Sequence, residues 1–264
     1  MRQRIRRFIA TGLRLSAATT ITAALALMLT GAAPARGADM TLGIAPWPPY
    51  VGPDLPEHGA AGAVVVAALR AAGHSLRPVY HSPMPVEDGV TNPDVDGLFP
   101  VYARRVRERA CLMSSQIGSS PLGLAERLDA PLTWSRLEDL GAYTIGVVRH
   151  YANAEPFDRL VGRGIIRVVR AETDSDNLRG LIAGTVDAAI IDRNTMAWLL
   201  ARDPALAAGG LRFHPRPVAE RPLYVCFRTD ERGRQARDIL ETGLGRIDAP
   251  LITAEWFRRH MSGY

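Results

Sequence analysis

Three groups of side chains in this 264-residue sequence could bind a charged small molecule. In "GTVDAAIIDRN", Asp187 and Asp192 bracket Ala188-Ala189-Ile190-Ile191, four residues that read as a short, fully buried strand. A carboxylate at the end of such a strand needs solvent at a turn, a helix to cap or a cation to meet, because burying it unpaired is costly. In "VDGLFPVYARRVRERA", the acid-then-strand pattern recurs at Val95-Asp96, and Arg104, Arg105, Arg107 and Arg109 crowd the residues just after that strand. Open α/β sheets bind ligands beyond the carboxyl ends of their strands, where a guanidinium can grip a carboxylate with two parallel hydrogen bonds. The plain alternative for these arginines is a solvated basic face. In "APWPPY", prolines on both sides hold the direction of Trp47 at the end of the first strand, which suits stacking on a ligand. Tyr50 reads more readily as a cap on the core. An arginine from one lobe and Asp192 from the other can hold the two ends of a zwitterion.

Machinery for a reaction is not evident, and no catalytic residue is assigned. "GSSPLG" at 118–123 has the wrong serine spacing for a nucleophile elbow and reads as a linker. The six histidines show no HExxH-type metal spacing, and neither a GxGxxG nor a Walker pattern occurs. The two cysteines, Cys111 and Cys226, lie in no CxxC pair. No metal and no cofactor are expected.

The elements that must position these residues alternate strand and helix, which predicts an α/β fold with mainly parallel sheets. "MTLGIAPW" is a strand entering a proline-rich loop, "AAGAVVVAALRAAG" a helix closed by Gly73, and "SLRPVYH" and "VDGLFPV" two further strands. "QIGSSPLGLAERLDAPLT", rich in Gly, Ser and Pro, reads as a crossover. The rhythm then restarts: a helix at "WSRLEDLG", strands at "YTIGVV", "GIIRVVR" and "VDAAIID", and a helix at "SDNLRGLIAG" capped by Asp174 or Ser175. "RPVAERP" reads as a second crossover, after which "LYVCFR" and two helices close the chain. Two crossovers predict two discontinuous lobes hinged about a cleft: 38–118 with 222–264, and 119–221.

The first 37 residues are expected to be a secretory signal peptide. A basic zone, an apolar zone and a small-residue zone follow one another, with cleavage after Ala35 or Gly37. The chain contains no lysine, and six of its 32 arginines precede Ala38. The remaining 26 arginines face 27 acids, a formal charge of −1, which removes the footprint of a nucleic-acid-binding protein. In an exported chain, Cys111 and Cys226 either form one disulfide or remain two buried thiols.

In order and spacing, "TLGIAPWPPY", "GAAGAVVVAALRAAG", "VDGLFPVYARRVRERACLMSSQIG", "LEDLGAYTIGVVRHY", "LIAGTVDAAIID" and "PLYVCFR" resemble the bacterial extracellular solute-binding proteins of family 3, over about residues 40 to 260. The resemblance implies a two-lobed type II periplasmic-binding-protein fold and a periplasmic monomer. Its role would be to capture a small polar solute, an amino acid or related carboxylate, for the permease of an ABC transporter. It also implies that Arg109 binds a ligand carboxylate, that Asp192 binds an ammonium group, and that Trp47, Tyr102, Arg149 and Tyr151 line the ligand. Val106 stands where the family has threonine, and His150-Tyr151 where it has Gly-Ser/Thr, which alters the pocket. The spacing from Asp96 leaves Arg105 or Arg107 as alternatives to Arg109. Other readings on the same scaffold are a dehydratase acting on prephenate-like substrates, with Glu108, His150 or Asp192 as the acid, and a sensory or accessory module for a periplasmic partner.

Overall fold

The structure is a computed structural model that describes residues 39–80, 92–103 and 110–261. The expected signal peptide and the arginine cluster Arg104–Arg109, including the predicted carboxylate ligand, lie outside the described residues.

One ten-stranded sheet runs through the described chain in the order β2-β1-β3-β10-β5-β8-β6-β7, with β4 (Leu112–Met113) added to β10 and β9 to β5. The first lobe is built on β1 (Asp39–Ile44), helix α1 (Ala60–Ala71), β2 (Ser75–Tyr80) and β3 (Gly97–Tyr102). β1 lies between β2 and β3 and is parallel to both. The second lobe repeats the plan with β6 (Thr144–Val148), α2 (Glu155–Gly162), β7 (Arg167–Ala171), α3 (Asp174–Ile182) and β8 (Ala188–Asp192). Here β6 lies between β7 and β8, again parallel to both. A helix α4 (Arg193–Leu200), a short α5 (Pro204–Ala207) and β9 (Leu211–Phe213) follow, and α6 (Glu231–Leu244) and α7 (Ala249–His260) return to the first lobe.

The same hydrogen-bonded device starts the inner strands of both lobes. Asp96 N–H donates to Thr41 O and the Asp96 carboxylate accepts from Thr41 N–H, both at 2.7 Å. Asp187 N–H donates to Thr144 O at 2.8 Å, and its carboxylate accepts from Thr144 N–H at 2.7 Å. The acids that lead the buried strands are therefore clamps between neighbouring strands.

Four expectations change in detail. The Gly/Ser/Pro-rich crossover is a strand, β5 (Gly118–Arg127), and the second crossover opens β10 (Ala219–Phe227). They pair antiparallel from Ala219–Leu122 to Leu223–Gly118. Only alternate residues of a strand need their N–H for a given partner, so Pro121 and Pro222 do not exclude a ladder here. The sheet is accordingly mixed rather than mainly parallel. The segment Leu137–Ala142 is a 3-10 turn instead of a full helix. Helix α3 is capped by Thr173, whose hydroxyl accepts from Asp176 N–H at 3.1 Å, and not by Asp174 or Ser175.

Each lobe has its own core. Leu42, Ile44, Val64, Leu69, Phe99, Phe227, Leu240 and Trp256 belong to one cluster. Leu124, Leu140, Ile145, Phe157 and Ile190 form a second, and Leu178, Leu181, Ala189 and Ile191 a third on the other face of β8. Successive residues of a strand face opposite sides, so a strand covered on both faces has no polar position, which explains the run Ala188–Ile191. Gly243 of α6 abuts the backbone of Ala68 in α1, a closeness that a Cβ would forbid. Cys111 and Cys226 form a disulfide, buried in a small cluster with Val95, Leu98 and Val101. No described helix is long and apolar enough to cross a membrane.

Candidate functional site

Asp192 ends β8 where the two lobes meet, and the residue is only 4% exposed. Its Oδ1 accepts from Thr195 N–H at 2.8 Å, which caps α4. Its Oδ2 accepts from the Tyr50 hydroxyl at 2.8 Å and from Ser120 Oγ at 2.6 Å. Tyr50 comes from the first lobe, Ser120 from crossover strand β5 and Thr195 from the second lobe. Capping and a polar role therefore coexist in one side chain. Burial pushes the Asp192 carboxyl above the usual range, against the downward pull of these donors. Three donors converging on one carboxylate in a site closed to water are the means of holding a charge where solvation cannot.

A second layer surrounds this centre. Asn194 Nδ2 donates to the Tyr50 hydroxyl at 2.7 Å, and Trp47 Nε1 donates to Thr195 Oγ1 at 3.2 Å. The Ser120 proton is engaged by Asp192, so the Tyr102 hydroxyl, 2.8 Å away, donates to Ser120 Oγ. The Trp47 ring lies 4.9 Å from that of Tyr50 and 5.4 Å from that of Tyr102, edge-on to the latter. The Arg221 guanidinium sits 4.0 Å above the Tyr102 ring. Tyr151 donates to Asp174 Oδ2 at 3.3 Å. Burial raises the Asp174 carboxyl to about 6, with the Asp192 charge adding to the rise and the Tyr151 hydrogen bond opposing it.

Of the predicted residues, Trp47, Tyr102 and Asp192 come together here, whereas Tyr151 is exposed and bonds Asp174. Arg149 does not, because its Nε is engaged by Glu172 at 2.8 Å on an exposed surface. Arg109 lies outside the described residues. Asp192 also does not stand across an open gap, since the first lobe touches it directly through Tyr50. Sequence reasoning missed Ser120, Asn194, Thr195, Asp174 and Arg221. Asn194 and Thr195 were within reach, since the first turn of a helix after a strand-ending acid faces the same way as the acid. Ser120 was hidden by reading its strand as a linker. The described residues contain no grouping of three His, Cys, Asp or Glu placed to hold a metal.

No protein-family model matches the chain, and no curated protein matches it in sequence. Solved structures do. A histidine kinase sensor domain with similarity to periplasmic binding proteins superposes with a TM-score of 0.68 at 20% identity, covering 83% of this chain and 95% of that one. A P235GK mutant of ArgBP from T. maritima gives 0.65 at 17% identity over 83% and 95%. The fold is that of the periplasmic binding proteins. The GluR0 ligand-binding core from Nostoc punctiforme, in complex with L-glutamate, matches this two-lobed periplasmic-binding fold with 0.65 at 14% identity over 83% and 98%. These neighbours agree with the resemblance to the family 3 solute-binding proteins.

Proposed function

We propose that this protein captures a small polar solute, an amino acid or related carboxylate, at the junction of its two lobes. The observation that carries the reading is the buried polar centre at Asp192, assembled from both lobes and a crossover strand and walled by Trp47, Tyr50 and Tyr102. Side chains contributed by two lobes meet only when the lobes approach, so a ligand bound among them shifts the balance between lobe arrangements. The lobes are taken as 38–118 with 222–264, and 119–221, which agrees with the grouping of the core residues. Arg109 is proposed as the carboxylate ligand, Asp192 as the partner of the cationic end, Trp47 and Tyr102 as walls, and Arg149 and Tyr151 as rim residues. Residues 1–37 export the chain to the periplasm, where, as a monomer, it hands its solute to the permease of an ABC transporter rather than transforming it.

A second reading has a specific observation in its favour. One of the structural neighbours is a histidine kinase sensor domain with similarity to periplasmic binding proteins. A sensory role keeps the same site and changes only the partner. The test of binding is a thermal-shift screen of the mature protein against the common amino acids and small dicarboxylates. At least one compound is expected to raise the Tm by several degrees. A flat response to the whole set contradicts the reading.

A further inference from the structure

The protein's own donors fill Asp192 Oδ2. An ionised carboxylate oxygen accepts about two hydrogen bonds. Both places on Oδ2 are taken, by the Tyr50 hydroxyl at 2.8 Å and by Ser120 Oγ at 2.6 Å, while Oδ1 accepts from Thr195 N–H in the first turn of α4. The two hydroxyls are held differently. Ser120 belongs to β5, which pairs with β8 at Leu122–Asp192, so its contact with Asp192 is made within one strand pair. Tyr50 belongs to the first lobe. It is buried there, its carbonyl accepts from Ala61 N–H of α1 at 2.9 Å, and its ring meets that of Phe257 of α7 edge-on at 6.1 Å. Its hydroxyl therefore reaches Asp192 across the junction and leaves it as the lobes part.

The surrounding contacts hold that hydroxyl in place. Asn194 Nδ2 donates to the Tyr50 oxygen at 2.7 Å, which turns the single hydroxyl proton of Tyr50 onto Asp192. Asn194 Oδ1, also buried, is left without a partner among the described residues. Thr195 Oγ1 accepts from Trp47 Nε1 and donates to Pro48 O, both at 3.2 Å. Ala197 and Trp198 of α4 pack against the core of the first lobe. An unmet buried acceptor disfavours this arrangement against one in which another donor meets these groups.

We propose that the Tyr50 hydroxyl is a built-in competitor for the cationic end of the ligand, holding on Asp192 Oδ2 the position that a ligand N–H must take. The inference rests on the binding reading above and deepens it, because the competitor sets both affinity and selectivity. Replacing the phenol O–H by an alcohol or a neutral amide exchanges one neutral donor for another and gains nothing. Replacing it by an ammonium or guanidinium adds the attraction of two opposite charges where solvent screens them little. Ligands that lack a cationic nitrogen are thereby turned away. Because the arrangement with Tyr50 on Asp192 does not take the ligand, its population lowers the apparent affinity in proportion.

The test is calorimetric titration of the full mature protein and of Tyr50→Phe, which keeps the ring and removes the hydroxyl. The probes are L-arginine, agmatine, putrescine, L-glutamine, L-glutamate and succinate. At least one probe with a cationic nitrogen is expected to bind Tyr50→Phe about threefold to tenfold more tightly than wild type, the equivalent of one hydrogen bond no longer displaced. Succinate, which carries no cationic nitrogen, is expected to gain nothing. Equal or weaker binding by the variant of every probe that the wild type binds overturns the competitor and leaves the binding reading standing. An equal gain for succinate overturns the exchange at Asp192. Silence from both proteins toward all the probes overturns the competitor and the binding reading together. A spectroscopic readout needs only the wild type to be folded. A phenol that stops donating to a carboxylate absorbs at shorter wavelength, so saturation with the tightest probe is expected to shift the tyrosine absorption of the wild type that way. No such shift, or the same shift in Tyr50→Phe, overturns the proposal.

Discussion

The two lobes share one plan and use their aspartates differently. In each, a threonine of the central strand exchanges two hydrogen bonds with the aspartate that leads the neighbouring strand, Thr41 with Asp96 and Thr144 with Asp187. In the first lobe this acid is buried and also receives Arg232. In the second it is exposed. Only the second lobe adds an aspartate at the far end of the same strand, and that one, Asp192, reaches the other lobe. The leading acid is architecture, and the trailing acid ties one lobe to the other. A carboxylate that a fold repeats in both halves belongs to the ladder, and one present in a single half invites a functional explanation.

The first lobe is further distinguished by the disulfide between Cys111 and Cys226, which closes a separation of 115 residues. Replacing both cysteines by alanine should lower stability by about 2–4 kcal/mol, the usual range for a long closed loop. Hydrogen exchange should show the loss in β3 and β10 before β6 to β8. Uniform loss across both lobes would show that they do not unfold separately.

The aspartate pair sharpens the contrast next. Asp96→Ala strips a buried acceptor from Thr41 N–H and from Arg232, and should reduce the urea-unfolding free energy by about 1.5–3 kcal/mol. Asp187→Ala removes the equivalent bond at the surface and should reduce it by only about 0.5–1 kcal/mol. Equal effects would erase the distinction drawn between the lobes. At their junction, Tyr50→Phe deletes the donor to Asp192 and the acceptor for Asn194, and should lower stability by about 1–2 kcal/mol.

A last effect concerns pH. The Asp174 carboxyl titrates in the folded protein at about 6, above its ordinary 3.8. The folded state therefore holds this proton more tightly than the unfolded chain, and stability from this group falls as pH rises from about 4 through 6. Comparison with Asp174→Asn isolates the effect from the other carboxylates. The difference in Tm between variant and wild type should grow in favour of the variant across that window and level off above it. A difference that stays constant from pH 4 to 7 contradicts the placement of Asp174 in a desolvated site.

Much of this was legible in the sequence because it rested on period and punctuation. Ala188–Ile191 announced a doubly covered strand, Gly73 a helix end, and the restart of strand and helix after residue 134 a second lobe. Asp192, Trp47 and Tyr102 could be placed because strand ends fix them. What stayed hidden depended on partners distant in sequence. Ser120 and Arg221 look like linker residues until β5 and β10 pair, and Asp174 reads as a helix cap until Tyr151 is seen beside it. The Arg149–Glu172 pair was hidden for the same reason, since nothing local reveals it.

The central claim is that a small polar solute binds where Asp192 joins the lobes. Its most direct test is calorimetry of the mature wild type and of Asp192→Asn, which keeps the shape of the side chain, replaces one accepting oxygen with an amide donor and removes its charge, against L-arginine, agmatine, putrescine, L-glutamine, L-glutamate and succinate. At least one probe is predicted to bind the wild type and to lose about tenfold or more in affinity with a folded Asp192→Asn protein. Affinity unchanged in that variant would contradict the account.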